Sequence, residues 1–149
     1  MLFKYTKNDL EALPYYDYTD LDGKEKDLEN LLARNLGNLY IEDGQLMPIF
    51  QERQWQEEPD LCALDKEGNL VIFELKRGVV QGDTTIQVMR YAQVYGQKSY
   101  TELNRIFQQY KKTTKELKDI HAETFGIENA PLKAEDFNRK QKLVIVGSS

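Results

Sequence analysis

Pro59-Asp60-Leu61-Cys62-Ala63-Leu64-Asp65-Lys66-Glu67-Gly68-Asn69-Leu70-Val71-Ile72-Phe73-Glu74-Leu75-Lys76 decides how this chain is read. Two apolar runs flank a polar stretch ending in Gly68-Asn69, the pattern of a β-hairpin. A three-residue loop needs one left-handed residue, and Gly68 stands where that residue belongs. Such a loop pairs Asp65 with Asn69. Counting back along the arms then pairs Leu64 with Leu70, Cys62 with Ile72 and Asp60 with Glu74. Side chains alternate along a strand, so Lys76 falls on the same face. A two-residue loop would slip the register and carry Asp60 to the opposite face.

The hairpin therefore predicts two carboxylates facing each other, a pairing that destabilises a sheet unless something positive lies between them. A divalent cation would turn the repulsion into coordination. Mg²⁺ takes a few protein oxygens and fills its remaining positions with water and substrate phosphate. Lys76 could orient a water or neutralise charge on an attacked phosphate. A plainer reading makes Glu74 and Lys76 ordinary surface charges and Asp60 the start of a strand after Pro59. An aliphatic strand closing on Glu-Leu-Lys, one hairpin's length after Pro-Asp, favours the site.

In Pro59-Asp60 and Glu74-Leu75-Lys76, separated by a β-hairpin, the chain resembles the PD-(D/E)XK nuclease superfamily. The resemblance implies a restriction-endonuclease-like fold and Mg²⁺-dependent hydrolysis of DNA phosphodiesters, with Mn²⁺ as a substitute ion. It implies that Asp60, Glu74 and the main-chain carbonyl of Leu75 bind the metal and that Lys76 assists the attacking water. Glu29, on the helix expected before the sheet, matches a further metal-reaching glutamate, with Glu25 one turn earlier as the alternative; either also suits an amphipathic helix surface. Gln87-Val88-Met89-Arg90-Tyr91 resembles the Gln-x-x-x-Tyr signature of RecB-like members, in which the Gln approaches the active site and DNA. The same stretch also fits a capping box, Thr84 to Gln87, and a core stripe through Tyr91. Arg77 and Arg90 are candidate phosphate contacts. The local sequence is most similar to RecB-like and mismatch-type endonuclease domains, which implies a role in DNA repair, recombination or restriction. A homodimer would account for cutting both strands of a duplex.

The 149 residues, 40% of them hydrophobic, suit one domain with a sizeable core. The single cysteine, Cys62, excludes an intrachain disulfide and points to a reducing, cytoplasmic setting. No apolar run approaches the length of a membrane span, and the polar N-terminus has no signal-peptide core. A net charge of −5 is awkward for a DNA-binding protein, but residues 1–97 carry a balance of −8 and residues 98–149 one of +3. Lys111, Lys112, Lys115 and Lys118 lie close together, and the first three are candidate phosphate contacts, although a solvated helix face has the same composition.

The remaining pattern predicts an α/β domain of order α-β-β-β-α-α-β, a central mixed sheet flanked by helices. Residues 1–21 read as an irregular arm. A helix spans 24–36 with Leu28, Leu31, Leu32 and Leu36 as its stripe. Strand segments are expected at 39–42 and 48–56, and a helix at 84–95 bears Val88, Tyr91, Ala92 and Tyr95. A long helical insertion covers 99–125, capped at Ser99 and bent or interrupted at Thr113-Thr114. The aliphatic strand 142–146 is expected to be buried. The chain halts just after that strand, which suggests a domain of a longer protein. Two further readings stay open: a catalytically inactive nucleic-acid-binding or assembly module on the same fold, and a metal-free structural domain.

Overall fold

The computed structural model describes residues 3–6, 9–12, 25–35, 44–51, 58–76 and 82–147. The elements run β1 (Phe3–Thr6), β2 (Asp9–Ala12), α1 (Glu25–Asn35), β3 (Met47–Gln51), β4 (Leu61–Leu64), β5 (Leu70–Lys76), α2 (Gly82–Tyr95), α3 (Tyr100–Lys111), α4 (Leu117–Phe125), a 3-10 turn (Ala134–Asp136) and β6 (Gln141–Gly147). Strands β3-β4-β5-β6 form one mixed sheet in that order, antiparallel up to β5, with β6 parallel to β5. This is the expected α/β architecture, compatible with a restriction-endonuclease-like core. Among the described residues no helix is long and apolar enough to cross a membrane.

The deciding hairpin has the register its loop dictates. Leu64 pairs with Leu70, Ala63 with Val71, Cys62 with Ile72 and Leu61 with Phe73. Gly68 lies at φ +79°, and its N–H donates to the Asp65 carbonyl at 3.0 Å. The Asp65 carboxylate ties the loop from within, accepting from the Asn69 N–H at 2.8 Å and from Asn69 Nδ2 at 3.0 Å. Asn138 anchors the loop to the body: its N–H donates to the Gly68 carbonyl at 2.8 Å, and its Nδ2 to the Tyr95 carbonyl at 2.8 Å.

Alternation along β4 and β5 divides the core into two layers. Cys62, Leu64, Leu70 and Ile72 pack against Val88, Tyr91 and Tyr95 of α2, Leu103 and Phe107 of α3 and Leu117 of α4. On the other face, Leu61, Ala63, Val71 and Phe73 pack with Leu32 and Ala33 of α1 and with Val144 and Val146 of β6.

Several expectations are corrected. Within the stretch read as an irregular arm, β1 and β2 pair antiparallel with Phe3 opposite Ala12. The insertion is interrupted at Thr113-Thr114 as expected, giving two helices: α3 ends at a left-handed Lys112, and α4 starts at Leu117. Its capping box is present, with the Ser99 N–H donating to Glu102 Oε2 at 2.8 Å. Thr84 does not cap a helix; it is buried within the first turn of α2. On α1, Leu31 is 54% exposed while Glu29 and Ala33 turn inward, so the buried face is rotated from the leucine stripe. β6 is not a buried strand: it lies at the sheet's edge and leaves Leu143 exposed. Its aliphatic run covers only one neighbouring strand. The strand segment expected at 39–42 and the 52–56 end of the next one lie outside the described residues.

His121, the single histidine of the sequence, is fully buried on α4. Its Nε2 lies 2.8 Å from the Asp65 carbonyl, which can only accept, so Nε2 carries the proton. Among the described residues Nδ1 meets no hydrogen-bond partner, and Phe125 and Phe137 flank the ring. Burial is the main cause holding this imidazole below its usual pKa of 6.5. The unfolded chain therefore takes a second ring proton at a pH where the folded chain resists it. The resulting stability is fully present above the unfolded pKa and is lost as pH falls through the folded one. Urea denaturation should show stability declining as pH is lowered from about 7 to about 5, and His121→Gln should remove that part of the slope. An unchanged slope in the variant would refute the assignment.

Candidate active site

The β4–β5 ladder runs as far as Leu61 and Phe73; Asp60 directly precedes the one and Glu74 directly follows the other. Leu75 lies one residue further, and its N–H donates to Asp60 Oδ2 at 2.8 Å. The Asp60 carboxylate thus closes the hairpin's open end, taking a strand donor that runs past the end of β4. Glu74 is fully buried, and Lys76 Nζ lies 2.8 Å from its Oε1 with the lysine side chain 28% exposed. The i,i+2 spacing on β5 puts both on one face, beside Ile72 and toward α2 and α3. The structure therefore gathers Asp60, Glu74, the Leu75 main chain and Lys76 at one end of the central hairpin. The hydrogen bond formed there by Leu75 uses its N–H.

Glu29 is buried on α1, with Lys26 Nζ at 2.9 Å from its Oε1. The neighbouring Leu32 and Ala33 pack on the sheet face opposite Cys62 and Ile72. Among the described residues no group of three or more His, Cys, Asp or Glu side chains is placed to hold a metal ion. Gln87 and Tyr91 share one face of α2, Gln87 Nε2 donating to Tyr91 Oη, and Tyr91 is buried against the sheet. Arg90 is exposed on the same helix, and Arg77 lies outside the described residues. Of Glu25 only the backbone, at the start of α1, is described.

The lysines expected as one strip are dispersed by the helix end. Lys111 Nζ lies 4.8 Å over the Tyr110 ring, faces a groove with Arg34, and has its pKa lowered by partial burial. Lys112 faces a different groove, on the α3 side of β3. Lys115 is exposed in the turn before α4. Two basic residues that sequence reading passed over, Lys98 and Arg105, line the same groove as Lys112. Lys98 precedes the Ser99 cap, Arg105 lies within α3 and Lys112 is its left-handed C-cap, so no single helical face joins the three in the sequence.

Endonuclease NucS of Pyrococcus horikoshii is 34% identical to this chain over 88 residues. That match covers 56% of this chain and 34% of the relative. Endonuclease NucS of Pyrococcus abyssi is 34% identical over 77 residues, covering 51% of this chain and 30% of the relative. The matches thus span about a third of the length of these curated relatives. No family model matches the chain, and no solved structure matches it.

Proposed function

We propose that this chain is a Mg²⁺-dependent DNA endonuclease domain of the PD-(D/E)XK superfamily, acting in DNA repair, recombination or restriction. The observation that carries the reading is the fully buried Glu74 carboxylate held against Lys76, at the end of the hairpin where the Asp60 carboxylate takes the Leu75 N–H. Burying such a pair costs several kcal/mol of desolvation, and apolar residues of the same volume are often as stable or more so. A charged pair kept there fits a chemical use better than a structural one. The similarity to two proteins named as endonucleases, over about half of this chain, supports the same reading.

The donor set suits a hard cation. Asp60 and Glu74 offer carboxylate oxygens, and Mg²⁺ commonly uses one or two carboxylates together with substrate phosphate. It does not suit zinc, which prefers thiolate and imidazole: burial pushes the Cys62 thiol up, and the His121 ring is engaged with Asp65. Asp60 and Glu74 would hold the ion, with Mn²⁺ as a substitute. When bound, Mg²⁺ supplies Lewis-acid stabilisation of charge on the phosphoryl oxygens. Lys76, reached by solvent while its ammonium rests on Glu74, orients the attacking water and offsets charge on the phosphate. Asp60, fixed by the Leu75 N–H, holds its carboxylate without a loop's freedom.

The test is cleavage of end-labelled DNA and RNA, single-stranded and duplex, in Mg²⁺, in Mn²⁺ and in EDTA. Cleavage of DNA is expected in either metal and not in EDTA. Cleavage that persists in EDTA, or no cleavage of any substrate, would overturn the reading.

A further inference from the structure

Between α3 and the edge of β3 runs a groove of about 580 Å³ whose lining combines positive charge with aromatic rings. Lys98, Arg105 and Lys112 face it, with Glu58 as the one acidic residue among the described lining residues. This concentrates positive charge locally in a chain whose net charge is −5. Phe50, Tyr95 and Tyr110 supply the rings. Lys98 Nζ lies 4.9 Å over the Tyr95 ring, and Tyr110 Oη donates to Gln51 Oε1 at 3.3 Å. The groove leads to the hairpin's charged end: Gln51 pairs with Leu61, the residue after Asp60, and Glu58 lies two residues before it.

Lys112 adds an independent observation. It ends α3 at φ +50°, ψ +50°, a left-handed position where glycine or asparagine costs least. A lysine there strains the backbone, and such strain persists where the side chain is put to use. From Arg105 to Lys112 the helix rises about 10 Å, enough to meet successive phosphates of one strand. Grooves that join basic residues with aromatic platforms hold nucleic-acid strands by their phosphates and base faces.

We infer that this groove is a strand-binding track, in which Lys98, Arg105 and Lys112 hold the phosphates of a DNA strand whose bases rest on Phe50 and Tyr110, leading that strand to Asp60 and Glu74. The inference rests on the nuclease reading for its direction toward the acids, but strand binding is measured apart from cleavage.

The test is fluorescence anisotropy with a fluorescein-labelled single-stranded oligodeoxynucleotide, in EDTA, over a salt series. Lys98→Ala, Arg105→Ala and Lys112→Gly together should weaken binding about tenfold or more and reduce the slope of log affinity against log salt by about 2. A comparison protein, Lys118→Ala, Lys133→Ala and Lys140→Ala, loses the same net charge outside the groove. It should retain most of the affinity and slope. Lys112→Gly alone should bind more weakly while melting at or above the wild-type temperature, because glycine accepts the left-handed turn. Equal losses in both triple variants, or unchanged binding in the groove triple variant, would overturn the track. Binding that follows this pattern without metal-dependent cleavage would leave the track standing and sink the nuclease reading.

Discussion

Glu74→Gln is expected to abolish cleavage while leaving the fold as stable as the wild type, or more so. Glutamine keeps the shape but loses the negative charge that the proposed ion and Lys76 both address. Removing a preorganised electrostatic group of this kind lowers turnover by about 10²–10³ or more. The same change removes a fully buried charge, whose desolvation the folded state no longer has to offset. Lys76→Ala is the contrasting variant. Its cleavage should fall by about 10²–10⁴. Its stability should fall too, because the ammonium 2.8 Å from a buried carboxylate is gone. Breaking one side of a fully buried pair costs about 3–5 kcal/mol, and the loss here is smaller because solvent reaches the lysine side chain. Single-turnover cleavage and thermal melting of both variants separate the roles. A Glu74→Gln protein that melts well below wild type and still cuts would make the pair structural and end the catalytic assignment.

Gly68→Ala should be a costly single-methyl change. At φ +79° any side chain is strained, and a Cβ would stand 2.8 Å from Leu132 Cδ1 and 3.3 Å from the Asp136 carbonyl oxygen. The leucine methyl can shift, but the carbonyl belongs to the 3-10 turn and gives less. Strain and overpacking together amount to about 2–5 kcal/mol. Gly126, the left-handed cap of α4 at φ +63°, has nothing within 4 Å of its Cβ position. Gly126→Ala therefore isolates the backbone part, about 1–2 kcal/mol. Urea unfolding of the two variants should place Gly68→Ala clearly below Gly126→Ala, and equal losses would show that the contact with the 3-10 turn carries no energy.

The sequence displayed the centre of this fold better than its margins, for physical reasons. Gly68 fixed a loop length, and the loop fixed a register that pairs Leu64 with Leu70 and Cys62 with Ile72; each step is local and follows from backbone geometry. The stripe of α2 was equally legible, because Val88, Tyr91 and Tyr95 all find the sheet. On α1 the leucine stripe misled in part: Leu32 packs on the sheet beside Ala33, but Glu29 is buried and Leu31 is left in solvent. β6 misled similarly, since an aliphatic strand at an edge has the composition of a central one. The groove was hidden because its residues come from β3, the segment around Lys98, and α3, which only the tertiary fold brings together. His121 gave no local signal, because its partner is the main chain of Asp65, 56 residues away.

The two ends of the hairpin also differ in when they can form. A tight turn brings Leu64 and Leu70 together at little loop-closure cost, so pairing spreads outward from Gly68. Asp60 and Glu74 are the last to meet, and their mutual repulsion opposes only that final step. The Leu75–Asp60 hydrogen bond is the latch on it. The chain can thus assemble its apolar strands before it must bring like charges together, and the cost of its chemistry falls on the end of the folding path instead of its nucleus.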